Sequence, residues 1–107
     1  AEHRTDGRTV ELAHGVLRLR YHRGFDRESF LTPGEAVRVR IPLTYVAHRV
    51  PAGSRLRLLV SGSHFPMYDP NPHTAEPVAT AVTTRSATQT LFHDAAHPSC
   101  LKLPTLP

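Results

Sequence analysis

Apolar and polar residues alternate with a period of two along several stretches of the chain. Val10 and Leu12 interleave with Thr9 and Glu11. After His14-Gly15, the run Val16-Leu17-Arg18-Leu19-Arg20-Tyr21 puts Leu17, Leu19 and Tyr21 on one face and Arg18 and Arg20 on the other. Successive side chains of a strand point to opposite faces, so the pattern predicts half-buried strands between Thr9 and Tyr21, with His14-Gly15 as a turn. The clearest strand sets Val37, Val39, Ile41 and Leu43 against Arg38 and Arg40. Pro42 lacks an N–H, which suits an edge or a strand end. Arg55 to Ser61 repeats the theme with Leu56, Leu58 and Val60 inward, while Leu59 interrupts the polar face. A further strand is predicted over Ser86 to His93, and a short last one over Ser99 to Leu103.

Turn chemistry punctuates these runs. In Thr32-Pro33-Gly34-Glu35 the proline presets φ and the glycine takes the position that needs positive φ. Pro51-Ala52-Gly53-Ser54 is a second such turn, and Thr44 to Val50 is a connector. From His64 to Val78 the steps Phe65-Pro66, Asp69-Pro70, Asn71-Pro72 and Glu76-Pro77 each push the preceding residue out of the helical region, so a long loop is predicted. The total of about five strands falls short of the seven to nine of a β-sandwich. The missing strands are expected to come from outside these residues.

Composition narrows the picture further. A chain of 107 residues that is 39% hydrophobic fits one domain, residues 1–107, with a small core. A single cysteine excludes an internal disulfide and a cysteine-based zinc site. Cys100, in the apolar run Ser99 to Leu103, is expected to be a small buried hydrophobe. No apolar run is long enough to span a bilayer, and Ala1-Glu2-His3-Arg4 is polar at once, so no membrane partner is expected and no targeting signal is read; the location is left open, with the cytoplasm favoured. The net charge of +4 is carried almost wholly by arginine, Lys102 being the only lysine. Arg18, Arg20, Arg38, Arg40, Arg55 and Arg57 are predicted on the outer faces of three strands. They lack interleaved aromatics, so a solvated face or pairing with carboxylates of an adjoining domain is expected, not nucleic acid.

Two groups imitate catalytic or metal sites. His93-Asp94-Ala95-Ala96-His97 has the spacing of H-E-x-x-H, which works only when a helix puts both imidazoles on one face. Here a strand precedes it and Pro98 disfavours helix, so a turn is predicted in which Asp94 and His97 satisfy local backbone groups. Ser61, Ser63, His64 and Asp69 hold the ingredients of a triad, but neighbours on an extended segment diverge. Their expected role is to bond the backbone of a proline-rich loop anchored by Phe65 and Tyr68.

Three stretches carry a family resemblance. The first is Asp6-Gly7-Arg8-Thr9-Val10-Glu11-Leu12 with Gly15-Val16-Leu17-Arg18 and Arg20-Tyr21. The second is Gly53-Ser54-Arg55-Leu56-Arg57-Leu58 leading into Ser61-Gly62-Ser63-His64-Phe65-Pro66-Met67-Tyr68-Asp69-Pro70-Asn71-Pro72-His73-Thr74. The third is Ala87-Thr88-Gln89-Thr90-Leu91-Phe92-His93-Asp94, then His97-Pro98-Ser99 and Leu101-Lys102-Leu103-Pro104. Together they resemble the C-terminal domain of the Xaa-Pro dipeptidyl-peptidase and cocaine-esterase family of serine hydrolases. The chain departs from the family at His64, where Asn is common, near Met67, where a basic residue is common, and at Ala75, where Gly is common.

The resemblance implies an all-β jelly-roll β-sandwich of the galactose-binding-like kind, of which this chain is the C-terminal half. It also implies an α/β-hydrolase domain as partner, with homo-oligomer contacts. The family's catalytic residues lie in that other domain, and no G-x-S-x-G elbow occurs here. No catalytic residue, metal or cofactor is therefore expected in this chain, whose parent would cleave an ester or amide. Phe65, Pro66, Tyr68, Asp69 and Asn71 form the candidate domain interface. A carbohydrate-binding module is the alternative, against which the absence of tryptophan counts, and a self-associating fragment is a third reading.

Overall fold

Three strands of two residues each make the only sheet among the described residues, 1–105, of the computed structural model. β1 is Glu2–His3, β2 is Thr9–Val10 and β3 is Arg55–Leu56. The order is β2-β1-β3 and both pairings are antiparallel, with Glu2 opposite Val10 and Leu56, and His3 opposite Thr9 and Arg55. Ala1 and Arg57 exchange both backbone bonds at 2.9 and 2.8 Å, which carries the β1–β3 pairing one residue further. The β1–β2 hairpin closes where the Arg4 N–H donates to the Arg8 carbonyl and the Gly7 N–H to that of Arg4. Asp6 accepts the Arg8 amide and pairs with its guanidinium at 2.7 Å, which holds the Asp6 carboxyl below its ordinary pKa.

The fold is β-type and almost wholly non-helical; its one helical element among the described residues is a 3-10 turn, Leu19–Tyr21. Contacts divide the chain into two compact units, Ala1–Ser61 and Gly62–Pro107, and the sheet belongs wholly to the first. Both predicted turns of that unit form. Glu35 N–H donates to Thr32 O at 3.2 Å with Gly34 at φ 85°, and Ser54 N–H to Pro51 O at 3.1 Å with Gly53 at φ 87°. A Cβ at Gly34 would meet nothing within 4 Å, so an added methyl there tests backbone strain alone. Gly34→Ala is expected to cost about 1 kcal/mol, read as a lower urea midpoint at unchanged m-value.

The predicted strands are realised only in part. Of Thr9 to Tyr21, only Thr9–Val10 pairs, and the end of the run winds into the 3-10 turn, whose period is not two. Of Arg55 to Ser61, only Arg55–Leu56 pairs. The runs 37–43, 86–93 and 99–103 join no ladder among the described residues. The first of these does lie beside the His14-Gly15 step: Thr44 N–H donates to His14 O at 2.8 Å, and His14 N–H to the Thr44 hydroxyl at 3.2 Å. Gly15 is no turn residue there. Its hydrogen lets the backbone pass close to the Pro42 carbonyl.

Burial follows the shortage of pairing. No hydrophobic side chain is buried among the described residues, and Val37, Val39, Ile41 and Leu43 are each 36–41% exposed. An alternating row that stands open in this way marks a face without a covering layer. Cys100, expected to be buried, is exposed for the same reason.

Candidate functional site

In the second unit, the loop that follows Gly62 turns sharply at its start. Tyr68 N–H donates to His64 O at 3.1 Å across the cis Phe65–Pro66 bond, and Ser63 Oγ accepts the Phe65 amide at 3.2 Å. Asn71 Oδ1 accepts the His73 amide at 3.3 Å, which supports His73 at φ 55°. The Pro72 carbonyl accepts Arg85 N–H at 2.9 Å, and Glu76 takes the Thr83 hydroxyl at 3.1 Å, so both ends of the loop are tied back. Ser63 bonds a local backbone amide as the proline-rich sequence predicts, and Asn71 does the same, whereas Phe65, expected as an anchor, is exposed.

The five candidate interface residues are placed unequally by these ties. Phe65 is 69% exposed, and Pro66 and Asp69 are exposed as well. Tyr68 and Asn71 are half-buried, with the Tyr68 ring 6.0 Å from that of His64. The turn thus presents Phe65 and Pro66 outward and draws Tyr68 and Asn71 inward as supports. Further along, Asp94 Oδ1 accepts the amides of Ala96 and His97 at 2.9 and 2.8 Å, so the run 93–97 is a capped bend and not a helix. The helical face on which H-E-x-x-H depends is therefore not formed. Ser99 Oγ donates to Phe92 O at 2.5 Å beside this bend.

Two buried charges in the first unit were not legible in the alternation. Glu2, on the central strand, has no accessible side-chain surface. Its Oε2 accepts from His48 Nε2 at 2.9 Å and from Arg4 Nε at 3.3 Å. The Ser54 side chain lowers its pKa most, followed by His48 and Arg4, against burial, which raises it. The other Glu2 oxygen, Oε1, is buried without a hydrogen bond. The only hint in the sequence is the Glu2-x-Arg4 spacing, which places both side chains on one side of a strand.

Arg20, assigned by alternation to the outer basic stripe, is buried at 7% exposure. Its Nη1 donates to Glu28 Oε1 at 2.9 Å, the Tyr21 hydroxyl donates to the same oxygen at 3.1 Å, and its guanidinium lies 5.3 Å from the Phe30 ring centroid. Arg20 is the main cause of the lowered Glu28 pKa, with burial opposing and Tyr21 adding to it. The stripe is accordingly reduced to Arg38, Arg40, Arg55 and Arg57 as exposed members, with Arg18 half-buried.

The bonds described for these groups are local supports: Ser63, Asn71 and Asp94 hold backbone amides, and Glu2 and Glu28 hold cationic partners. Comparison with known proteins places the chain in a family. The family described as the X-Pro dipeptidyl-peptidase C-terminal non-catalytic domain matches residues 2–102. A cocaine esterase from Rhodococcus sp. (strain MB1 Bresler) is 29% identical over 103 residues, which covers 94% of this chain and 18% of the esterase. The chain thus spans less than a fifth of that relative's length. No solved structure matches it significantly. With a match running from Glu2 to Lys102, the chain belongs to the family of X-Pro dipeptidyl-peptidase C-terminal non-catalytic domains.

Proposed function

We propose that residues 1–107 are the C-terminal part of an accessory jelly-roll β-sandwich, galactose-binding-like in kind, that packs on an α/β-hydrolase domain. The parent cleaves an ester or amide bond, and this part supplies no reacting group. It walls the substrate cleft and supports homo-oligomer contacts, with Phe65, Pro66, Tyr68, Asp69 and Asn71 at the domain interface. The observation that carries this reading is the open apolar row Val37, Val39, Ile41 and Leu43 in a chain whose described residues bury no hydrophobic side chain. A row at that spacing gains stability only when a second layer takes it from water, at about 25 cal/mol per Å². The family's non-catalytic character and the 18% coverage of the esterase support an origin in a larger hydrolase.

The test has two parts. Incubated with an activated acetate ester, the isolated chain is expected to give no turnover that a serine-directed inhibitor abolishes; inhibitor-sensitive turnover would overturn the reading. The same chain is expected to bind a hydrophobic dye that reports uncovered apolar surface. The longer protein that carries it should bind far less dye per domain, and equal binding by both would sink the packing proposal.

A further inference from the structure

We propose that Arg20 to Phe30 is a preorganised docking loop, which seats the Phe25 ring, flanked by Arg23 and Arg27, in a carboxylate-rimmed apolar pocket on the hydrolase domain of the parent polypeptide. This inference rests on the accessory-domain reading above. The loop is pinned at its base by side-chain and backbone ties together. The Arg20 guanidinium and the Tyr21 hydroxyl converge on one Glu28 oxygen, at 2.9 and 3.1 Å. The Arg20 carbonyl accepts the Ser29 amide at 2.6 Å, and Phe30 lies beneath the guanidinium. The 3-10 turn adds the His22 to Leu19 and Gly24 to Tyr21 bonds, both 3.1 Å.

The tip is built to present one ring and two cations. Gly24, at φ 143°, lets the chain reverse, and the Asp26 carboxylate folds back to within 2.7 Å of where a Gly24 Cβ would stand. Arg23, Phe25 and Arg27 are exposed, Phe25 at 82%. Its ring, 5.9 Å from that of Tyr21, is held at the root and open beyond. No ion pair joins Arg23 or Arg27 among the described residues.

An aromatic between two arginines on a rigid support has the composition of an interface anchor, because little freedom remains to be lost on binding. A flexible loop would surrender that freedom at the moment of docking. The charge of the surroundings sets the partner's sign. Residues 1–61 carry eleven arginines against six carboxylates, so a basic rim would be repelled and an acidic one attracted. The related esterase is more than five times the length of the match, which places a large surface of the same polypeptide within covalent reach.

The experiment uses the full-length protein that carries this chain, with a photo-reactive benzoylphenylalanine at position 25 and, in a separate variant, at position 65. Illumination of the position-25 variant is expected to give cross-links to residues outside this chain, beside Asp or Glu. Arg23→Glu together with Arg27→Glu should cut that yield roughly tenfold while leaving circular dichroism unchanged. Cross-links confined to residues 1–107, cross-links to none, or a yield indifferent to charge reversal would each overturn the proposal. The position-65 variant separates the two ideas. Cross-linking to the hydrolase domain from 65 but not from 25 rejects the docking loop and keeps the accessory reading, whereas silence from both rejects both.

Discussion

Replacing Glu2 with glutamine is expected to loosen the sheet of the first unit at all three of its strands. Glu2 sits on β1, between β2 and β3, and its carboxylate is the one side chain with no accessible surface in a unit that buries no hydrophobic group. Where an apolar core would hold the strands, a charge does so instead. His48, forty-six positions away, bonds to the sheet through Glu2 Oε2, and Arg4 shares that oxygen. Glutamine keeps the shape but removes the charge, so both donors lose a charge-assisted acceptor. The Arg4 and Arg57 amides, each bonded across the sheet, are expected to exchange roughly tenfold faster, as loss of one such bond implies. His48→Ala alone should give a smaller change, since Arg4 keeps Oε2 occupied. The double variant should fall short of the sum, because the two residues act through one contact. Strict additivity would mean that the His48–Glu2 contact ties nothing.

The same carboxylate sets an acid limit. The pKa of Glu2 is held below its ordinary 4.5, and that of Glu28 likewise, by Ser54 and His48 in one case and Arg20 in the other. A carboxyl with a lowered folded pKa releases its proton more readily in the folded state. Its contribution is therefore complete above the unfolded value and is lost as pH falls through the lowered folded one. The urea midpoint should accordingly be level from neutrality to near pH 4.5 and drop below it. Asp6 is also lowered, but it lies half in solvent, where screening leaves its pair with Arg8 little weight. In Glu2→Gln the drop should be shallower; an unaltered profile would assign the acid limit elsewhere.

These features were legible in the sequence to unequal degrees. The turns at Thr32 to Glu35 and Pro51 to Ser54 form as read, because each is decided by the φ preferences of two adjacent residues. The capped bend at Asp94 is equally local. Alternation, by contrast, reports a face that wants cover and says nothing of which strand lies alongside. Val37 to Leu43 has the cleanest period and makes no ladder among the described residues, while Glu2–His3, two polar residues with no pattern, become the central strand. Arg20 was placed outward by a period of two that the 3-10 turn breaks, and the altered direction carries it to Glu28. For Glu2 only the nearby Arg4 was in view, since its other partners stand at positions 48 and 54 and distance along the chain hides them. Of the candidate interface, the need for a loop was visible in the X-Pro steps. The split between outward Phe65 and inward Tyr68 was not, because both are aromatic and only the turn geometry separates them.

Gly15→Ala is expected to be the costliest methyl that can be added to the chain. A Cβ at Gly15 would strike the Pro42 carbonyl oxygen, with Ile41 Cγ2 at 3.0 Å and Leu43 Cδ2 at 3.1 Å closing the space on either side. The side chains can rotate away, but a backbone oxygen cannot, so the two segments must part. Parting them strains both bonds of the neighbouring step, Thr44 N–H to His14 O and His14 N–H to Thr44 Oγ1. Overpacking of this kind costs about 2–3 kcal/mol, more than the strain expected at Gly34, where the methyl meets open space. Gly62→Ala supplies the control: its Cβ would find only the Gln89 amide oxygen at 3.8 Å, and a change within about 0.5 kcal/mol is expected. The measurements are the urea midpoint of each variant and the exchange rate of the Thr44 amide. Gly15→Ala should lower the first and raise the second, and Gly62→Ala should move neither. A Gly15→Ala chain with the midpoint of Gly62→Ala would show that His14-Gly15 and Pro42 do not meet as described.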